Sequence, residues 1–300
     1  MERVEKFLAE AAECIGRKDS SALFELLSGH QDLALDALEI VRLFASLNHI
    51  DVRAVAARGL PVFGVSGTGG ASLRRPNIST LTAIYMAATG KVLSVKTGSR
   101  SHRGMVGSTE CLEQLGYVSS PDSGFLYFDV DESVPWKNFS SVLKLNASIR
   151  GFLEKHAVHD VPYSWKLTGL PDRAAVDAYS ARRHLPEGVK VLAYTGLLLG
   201  QPVDEILPSE VYANDCGRTV VLDFTCDAGP DIPGSNEEVL ALNRSLLAGK
   251  CPSRFWTRTL ELSVAVALTF TGLSASQEEG ERLFRGLYDG GRAKEVLGKD

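Results

Sequence analysis

The chain has few of the residues that would staple, anchor or coat it. Its five cysteines, Cys14, Cys111, Cys216, Cys226 and Cys251, are odd in number, widely spaced and free of any CxxC pair. That pattern excludes a disulfide framework and a thiolate zinc site, and it fits a reducing, cytoplasmic setting. Excess positive charge is also missing: 32 basic against 37 acidic residues give a formal charge of −5. Without a basic footprint, binding to a phosphate backbone is not expected, and nucleic acid is set aside as a partner. No apolar run approaches membrane-spanning length, and the opening "MERVEKFLAEAAECIG" mixes acids through its apolar positions, so neither a membrane anchor nor a secretory leader is expected. Repeats and low-complexity tracts are absent. What is present is a 44% hydrophobic content over 300 residues, enough for one large or two moderate cores.

Periodicity divides the chain. From Met1 to about residue 60 it is helical: Val4, Phe7, Leu8 and Ala11 share a face, Ser20 or Ser21 can cap "SALFELLSG", and Asp51 can cap "VRAVAARG". Strand and helix then alternate. "PVFGV", "KVLSVKTG" and "GFLYFDV" read as buried strands, while "ISTLTAIYMAATG" and "GSTECLEQLG" read as helices closed by Gly90 and Gly116. Residues 133–165 return to helical periodicity. "KVLAYTGLLLG" and "RTVVLDF" are further strands, and Arg254 to Gly272 and Gln277 to Asp289 are the last helices. The expected fold is α/β: a small helical domain (1–60, rejoined by 133–165) beside a larger domain (61–132 and 166–300) with a mostly parallel central sheet, and a cleft between them.

Chemistry concentrates in the loops that follow the first two strands. Gly67, Thr68, Gly69 and Gly70 form a turn between strand and helix whose backbone N–H groups an anion can approach without meeting a Cβ. It is not a Walker A loop, because no Gly-Lys-Ser/Thr follows, and the acid expected after a dinucleotide-binding glycine loop is missing. Asn77, Ser79 and Thr80 then open a helix, where one polar side chain suffices for capping and three invite an anion. The second loop supplies Lys96, Ser99, Arg100, His102 and Arg103. Adjacent parallel strands would bring both loops to one carboxyl edge, where open α/β sheets bind ligands.

"GTGG" (67–70), "NIST" (77–80), "KTGSR" (96–100) and "GSTECLEQLG" (107–116) resemble, in order and spacing, the first half of anthranilate phosphoribosyltransferases and the related nucleoside phosphorylases. At lower density the resemblance runs on through "GFLY", "VLAYTGLLLGQPVDEI" and "ALNRSLLAGK", covering about residues 55–297. It implies transfer of a 5-phosphoribosyl group from phosphoribosyl pyrophosphate with Mg2+, and a homodimer formed through the helical module. By the same resemblance, Gly67, Thr68, Gly69 and Gly70 would hold pyrophosphate, and Asn77, Ser79 and Thr80 the ribose, its phosphate and one magnesium ion. Lys96 would meet the pyrophosphate, and Asp204 and Glu205 would bind magnesium, with Ser79 as a further metal ligand. Those types suit the chemistry: a departing pyrophosphate needs cations and backbone donors more than a strong base, and magnesium takes oxygen ligands with one or two carboxylates.

The chain departs from the family's pattern most on the acceptor side. Ala71 replaces the usual Asp, followed by the cations Arg74 and Arg75; Thr97 and Ser99 replace a His and an Asn; Arg103 and Gly104 replace paired serines, so that Arg103 takes over phosphate anchoring. Leu143 or Lys144 falls near the family's acceptor-binding Arg, and its Gly-Pro segment is missing. "FDVDES" instead sets Asp129, Asp131 and Glu132 at the end of the third strand. The expected acceptor is therefore a cationic or polyhydroxylated small molecule, such as an aminoglycoside or aminocyclitol of antibiotic biosynthesis, contacted by Ser99, Arg100, His102, Asp129, Asp131, Glu132 and Lys144. Asp131 or Glu132 would take the proton of an acceptor amine. Three other readings stay open: ordinary anthranilate transfer, nucleoside phosphorolysis, and a non-catalytic binding relative.

Overall fold

The computed structural model describes residues 2–17, 19–35, 59–67, 73–101, 104–118, 123–129, 145, 163–180, 188–215 and 218–297. Thr68, Gly69, Gly70, Ala71, Asp51, His102, Arg103, Asp131, Glu132, Leu143, Lys144 and the helical return after Pro135 lie outside the described residues.

Two helices come first, α1 (Glu2–Gly16) and α2 (Ser20–Gly29). Phe7, Ala11, Cys14 and Ile15 are the buried face of α1. The cap of α2 is Asp19 rather than a serine: its carboxylate accepts from Ala22 N at 2.9 Å, and Ser20 and Ser21 fall inside the first turn. An N-cap oxygen bonds the N–H two or three residues on, and Asp19 stands three residues before Ala22, directly ahead of the first helical residue.

The sheet follows. β1 (Val62–Gly67), β2 (Leu93–Gly98), β3 (Phe125–Asp129), β4 (Trp165–Gly169), β5 (Lys190–Leu198), β6 (Gln201–Val203), β7 (Glu210–Asp215) and β8 (Arg218–Asp223) form one eight-stranded sheet in the order β3-β2-β1-β4-β5-β7-β8, with β6 paired to β5. β3 through β5 are parallel; β6, β7 and β8 pair antiparallel. The expected α/β fold with a mostly parallel sheet is what the chain forms. Connecting β1 to β2 is α3 (Ile78–Ala88), and α4 (Ser108–Leu115) connects β2 to β3. α5 (Arg173–Ser180) follows β4, and α6 (Asn236–Leu247), α7 (Arg254–Phe270) and α8 (Gln277–Asp289) close the chain before a short 3-10 turn at Arg292–Leu297.

One sheet face carries the main core. Phe63, Val65, Phe125 and Leu167 meet α3 and α7, and both helices are apolar around most of their circumference because each packs on more than one side. The opposite face buries Val62, Leu93, Val95, Val191 and Ala193 with Leu170 and Val176. β1, β2 and β3 run outward in one direction from β1, whereas β4 and β5 run in the other. The boundary between β1 and β4 is thus a topological switch point, the position at which an open parallel sheet leaves a crevice beyond its carboxyl ends.

Three elements differ from the sequence reading, each for a visible reason. β4 was not expected, because Lys166 interrupts its apolar run in a central strand. The single strand read over 190–200 is a hairpin: Leu199 (φ 51) and Gly200 (φ 77) both adopt positive φ, and β6 folds back onto β5. β7 pairs antiparallel between β5 and β8, where only β8 was expected.

Candidate active site

The hairpin explains how a pair of acids reaches the crevice. β5 runs parallel to β4 and four residues past its carboxyl edge, and the turn at Leu199–Gly200 returns the chain so that Asp204 and Glu205 follow β6 directly. Two glycines let that backbone lie against the sheet: a Cβ on Gly169 would stand 2.1 Å from Asp204 O, and one on Gly196 would stand 2.4 Å from Glu205 O. No side chain tolerates such approaches. Gly169 is in register with Gly67 at the end of β1. A Cβ on Gly67 would lie 2.7 Å from Asp204 Oδ2 and 3.6 Å from Ser79 Oγ. The first glycine of the loop, the hydroxyl in the first turn of α3 and the distant acid therefore share one small volume at the switch point.

Burial gives these groups their electrostatic character. Asp204 is 4% exposed and Glu205 5%. Burial pushes the Glu205 carboxyl up to about 8, with Arg75 opposing and Asp204 adding to the rise. Glu205 Oε2 is buried and has no hydrogen-bond partner among the described residues. Lys96, 2% exposed on β2, projects to the same sheet face as Val65. Burial pushes its ammonium down to about 8, and the carboxylates of Asp204 and Glu205 work against that shift. Its Nζ donates to Thr97 O at 2.5 Å. Cys111 on α4 is buried too, and burial pushes its thiol up to about 12, so it stays a thiol and not a nucleophile.

Sequence reasoning missed what holds the acids. Arg75 donates from Nη2 to Asp204 Oδ1 and from Nε to Glu205 Oε1, the latter at 3.3 Å. The visible signal was the pair of cations gained after the glycine loop, but their partner lies about 130 residues away. Asn243 on α6 was missed as well. Asn77 N donates to Asn243 Oδ1 at 2.8 Å and Asn243 Nδ2 donates to Asn77 Oδ1 at 2.8 Å, while Asn77 Nδ2 donates to Val106 O at 3.1 Å. Asn77 thus stands at the N-cap position of α3 without capping it. The positive end of α3 is left without a side-chain cap, with Ser79 of its first turn near Gly67, as an anion site requires.

The second loop is shaped by α4. Glu110 accepts from Gly107 N at 3.0 Å and from Ser101 N at 3.2 Å, so one carboxylate gathers both ends of the 101–107 turn. Asn236 Nδ2 donates to Gly104 O at 2.9 Å and Arg74 Nε donates to Asn236 Oδ1 at 3.4 Å, tying the two loops together through α6. Thr80 Oγ1 donates to Ser108 Oγ at 3.2 Å. Arg100 turns to the surface and pairs with Glu113; Ser99 Oγ donates to the Arg100 carbonyl at 3.2 Å. Asp129, at the end of β3 and in register with Gly98, is buried and accepts from Thr109 Oγ1 at 2.5 Å.

The structure therefore gathers Gly67, Ser79, Asp204 and Glu205, with Lys96 inside their field, places Asn77 and Thr80 along the same helix start, and leaves Arg100 at the rim. Among the described residues no group of three His, Cys, Asp or Glu could hold a metal by itself. Among the same residues no helix is long and apolar enough to cross a membrane. Cys14, Cys111, Cys226 and Cys251 are free thiols.

No family model matches the chain. The anthranilate phosphoribosyltransferase of Methanobrevibacter smithii is 27% identical over 259 residues, spanning 79% of this chain and 76% of that protein. The anthranilate phosphoribosyltransferase of Synechococcus elongatus is 36% identical over 108 residues, a match that spans 36% of this chain and 31% of the relative. Among solved structures, the anthranilate phosphoribosyltransferase from Thermus thermophilus superposes with a TM-score of 0.60 at 20% identity, covering 96% of this chain and 97% of that one. The enzyme from Saccharomyces cerevisiae in complex with PRPP and Mg superposes at 0.64 and 14% identity, over 99% of this chain and 96% of that one. The structural matches carry the fold. The relatives aligned over most of the chain are all anthranilate phosphoribosyltransferases, so that family is the one the similarities support, and the low identity fits a divergent chain.

Proposed function

We propose that the chain is a phosphoribosyltransferase that uses phosphoribosyl pyrophosphate and passes its 5-phosphoribosyl group to a small acceptor other than anthranilate. The observation that carries the donor half is the meeting of Gly67, Ser79, Asp204 and Glu205 at the switch point between β1 and β4, beside Lys96. A glycine at the end of β1, a helix start without a side-chain cap and a buried ammonium are the features that receive a diphosphate. The named activity of the relatives, and the yeast neighbour's complex with PRPP and Mg, support the same reading.

The oxygens present suit magnesium: Glu205 Oε2 is a buried acceptor with no hydrogen-bond partner among the described residues, Asp204 Oδ2 faces the Cβ-free position of Gly67, and Ser79 Oγ stands on its other side. Bound there, the ion would neutralise charge on the departing pyrophosphate. The chain's own residues do the rest. The first turn of α3 directs its N–H groups at phosphate oxygens, and Lys96, still protonated at neutral pH because about 8 lies above it, adds a cation that needs no reorganisation. Thr109 holds Asp129 at the edge of β3, where a carboxylate suits an acceptor bearing an amine or hydroxyls. Asp131 and Glu132 complete that acidic edge in sequence, and either would take the proton of an attacking amine.

Calorimetric titration with phosphoribosyl pyrophosphate, with and without magnesium, tests the donor half: absence of binding in both sets would end the reading. A panel of amines, aminocyclitols and aromatic acids assayed for pyrophosphate release tests the acceptor half. Anthranilate belongs on that panel because the relatives are named for it; turnover of anthranilate, followed by loss of its fluorescence, would replace the proposed acceptor.

A further inference from the structure

The acid pair already has a cation. Arg75 is 11% exposed at its side chain, bridges Asp204 and Glu205 with two different nitrogens, and comes from the same loop that ends at the helix start of α3. A guanidinium fork spanning two carboxylates is the arrangement in which arginine competes best with other cations, because both hydrogen bonds form at once and the group cannot deprotonate. Its reach is incomplete, however. Glu205 Oε2 remains buried with no hydrogen-bond partner among the described residues, and Asp204 Oδ2 lies 2.7 Å from where a Cβ on Gly67 would stand. Two oxygens of the pair, Asp204 Oδ1 and Glu205 Oε1, are engaged by the arginine.

We propose that Arg75 is the resident counter-cation of the Asp204–Glu205 pair, so that in the free protein a divalent ion reaches these acids only by displacing the guanidinium. This deepens the phosphoribosyltransferase reading and rests on it for the identity of the second ligand, a diphosphate that could accept the displaced arginine. The consequence is a metal site that is weak until the diphosphate arrives. A pair of buried carboxylates with no cation would bind a divalent ion ahead of substrate; one that carries its own arginine does not.

The test uses Mn2+ alone, counted by the loss of its free-ion electron paramagnetic resonance signal, on the whole chain. The expected result is little binding by the wild type and one ion per chain in Arg75→Gln, with affinity higher by about tenfold or more, since one competing unit charge has been removed beside the carboxylates. The gain should vanish in Arg75→Gln combined with Asp204→Asn and Glu205→Gln. Equal affinity in wild type and Arg75→Gln, or a folded Arg75→Gln that binds no Mn2+, would overturn the proposal. Removing one partner of a buried pair can prevent folding. Arg75→Lys then serves, since a lysine cannot span both carboxylates: Mn2+ binding tighter than wild type supports the proposal, and unchanged binding overturns it. Phosphoribosyl pyrophosphate binding measured on the same samples separates the two ideas. Its loss in the wild type would sink the transferase reading and leave the Mn2+ result standing, whereas intact binding with no Mn2+ gain would sink the role of Arg75 alone.

Discussion

Lys96→Met should make the free protein more stable and less able to bind a diphosphate. Lys96 is 2% exposed, and burial lowers its ammonium from the ordinary lysine value near 10.5 to about 8 even with Asp204 and Glu205 drawing the other way. At ~1.36 kcal/mol per tenfold, holding that charge inside the fold at neutral pH costs about 3 kcal/mol. Methionine has a similar unbranched stem and no charge, so the cost disappears with little change in packing. The sign with pH follows from linkage. Below about 8 the lysine is protonated in both states and the full cost is present; between about 8 and 10.5 the folded protein releases the proton while the unfolded chain keeps it, and wild-type stability rises. The advantage of Lys96→Met, about 3 kcal/mol near pH 7, should therefore shrink below about 1 kcal/mol near pH 10. Urea unfolding of both proteins across this range measures it, and subtracting one curve from the other removes to first order the titrations the two proteins share. A variant less stable than wild type at neutral pH, or a difference that does not change with pH, would refute the reasoning. Pyrophosphate titrated into the same samples should bind the wild type and fail to bind Lys96→Met.

Lys166, on β4, is a control with the same burial and the opposite position. Burial alone pushes it down to about 8, but it is in register with Gly64 and so projects to the sheet face away from Lys96; Lys166→Met should reproduce the pH-dependent stabilisation and leave pyrophosphate binding unchanged in calorimetry. Gly67→Ala places a Cβ 2.7 Å from Asp204 Oδ2, which Arg75 holds, and should lower stability by about 1–3 kcal/mol in thermal unfolding as well as weaken pyrophosphate binding. Asn243→Ala leaves the Asn77 N–H and side-chain oxygen without their partner in a half-buried contact and should cost about 1–3 kcal/mol, read as a lowered urea midpoint with an unchanged slope.

The legible parts of the chain were those whose signals are local. α3, α4, α7 and α8 announce themselves by periodicity and by Gly90, Gly116 and Gly272 at positive φ, and β1 and β2 by short apolar runs before glycine-rich loops. That both loops would meet at one carboxyl edge followed from parallel pairing alone. The illegible parts depend on tertiary partners. β4 carries a buried lysine, which no strand pattern anticipates, and the β5–β6 turn hides in "LLLGQ" because Leu199 at φ 51 takes a conformation that leucine rarely adopts. Asp204 and Glu205 could be matched to magnesium ligands only through the resemblance. Their bridge to Arg75, like the pairing of Asn77 with Asn243, joins residues more than a hundred positions apart, and no spacing rule reaches that far.

Burial, then, and not a concentration of charged side chains, sets the character of this site. Burial drives both Lys96 and Glu205 toward their neutral forms and brings each to about 8 from opposite sides. At neutral pH the lysine keeps its charge, while the ionised form of Glu205 depends on the cations beside it, Arg75 first and then Lys96. Arg75 and Lys96 thus stand as two cations against the two acids, Arg75 by direct hydrogen bonds and Lys96 through its field. A chain whose formal charge is −5 thus still gathers two buried cations at the switch point, beside the helix start of α3. A diphosphate entering there would find two cations and a helix start already in place, with no reorganisation required.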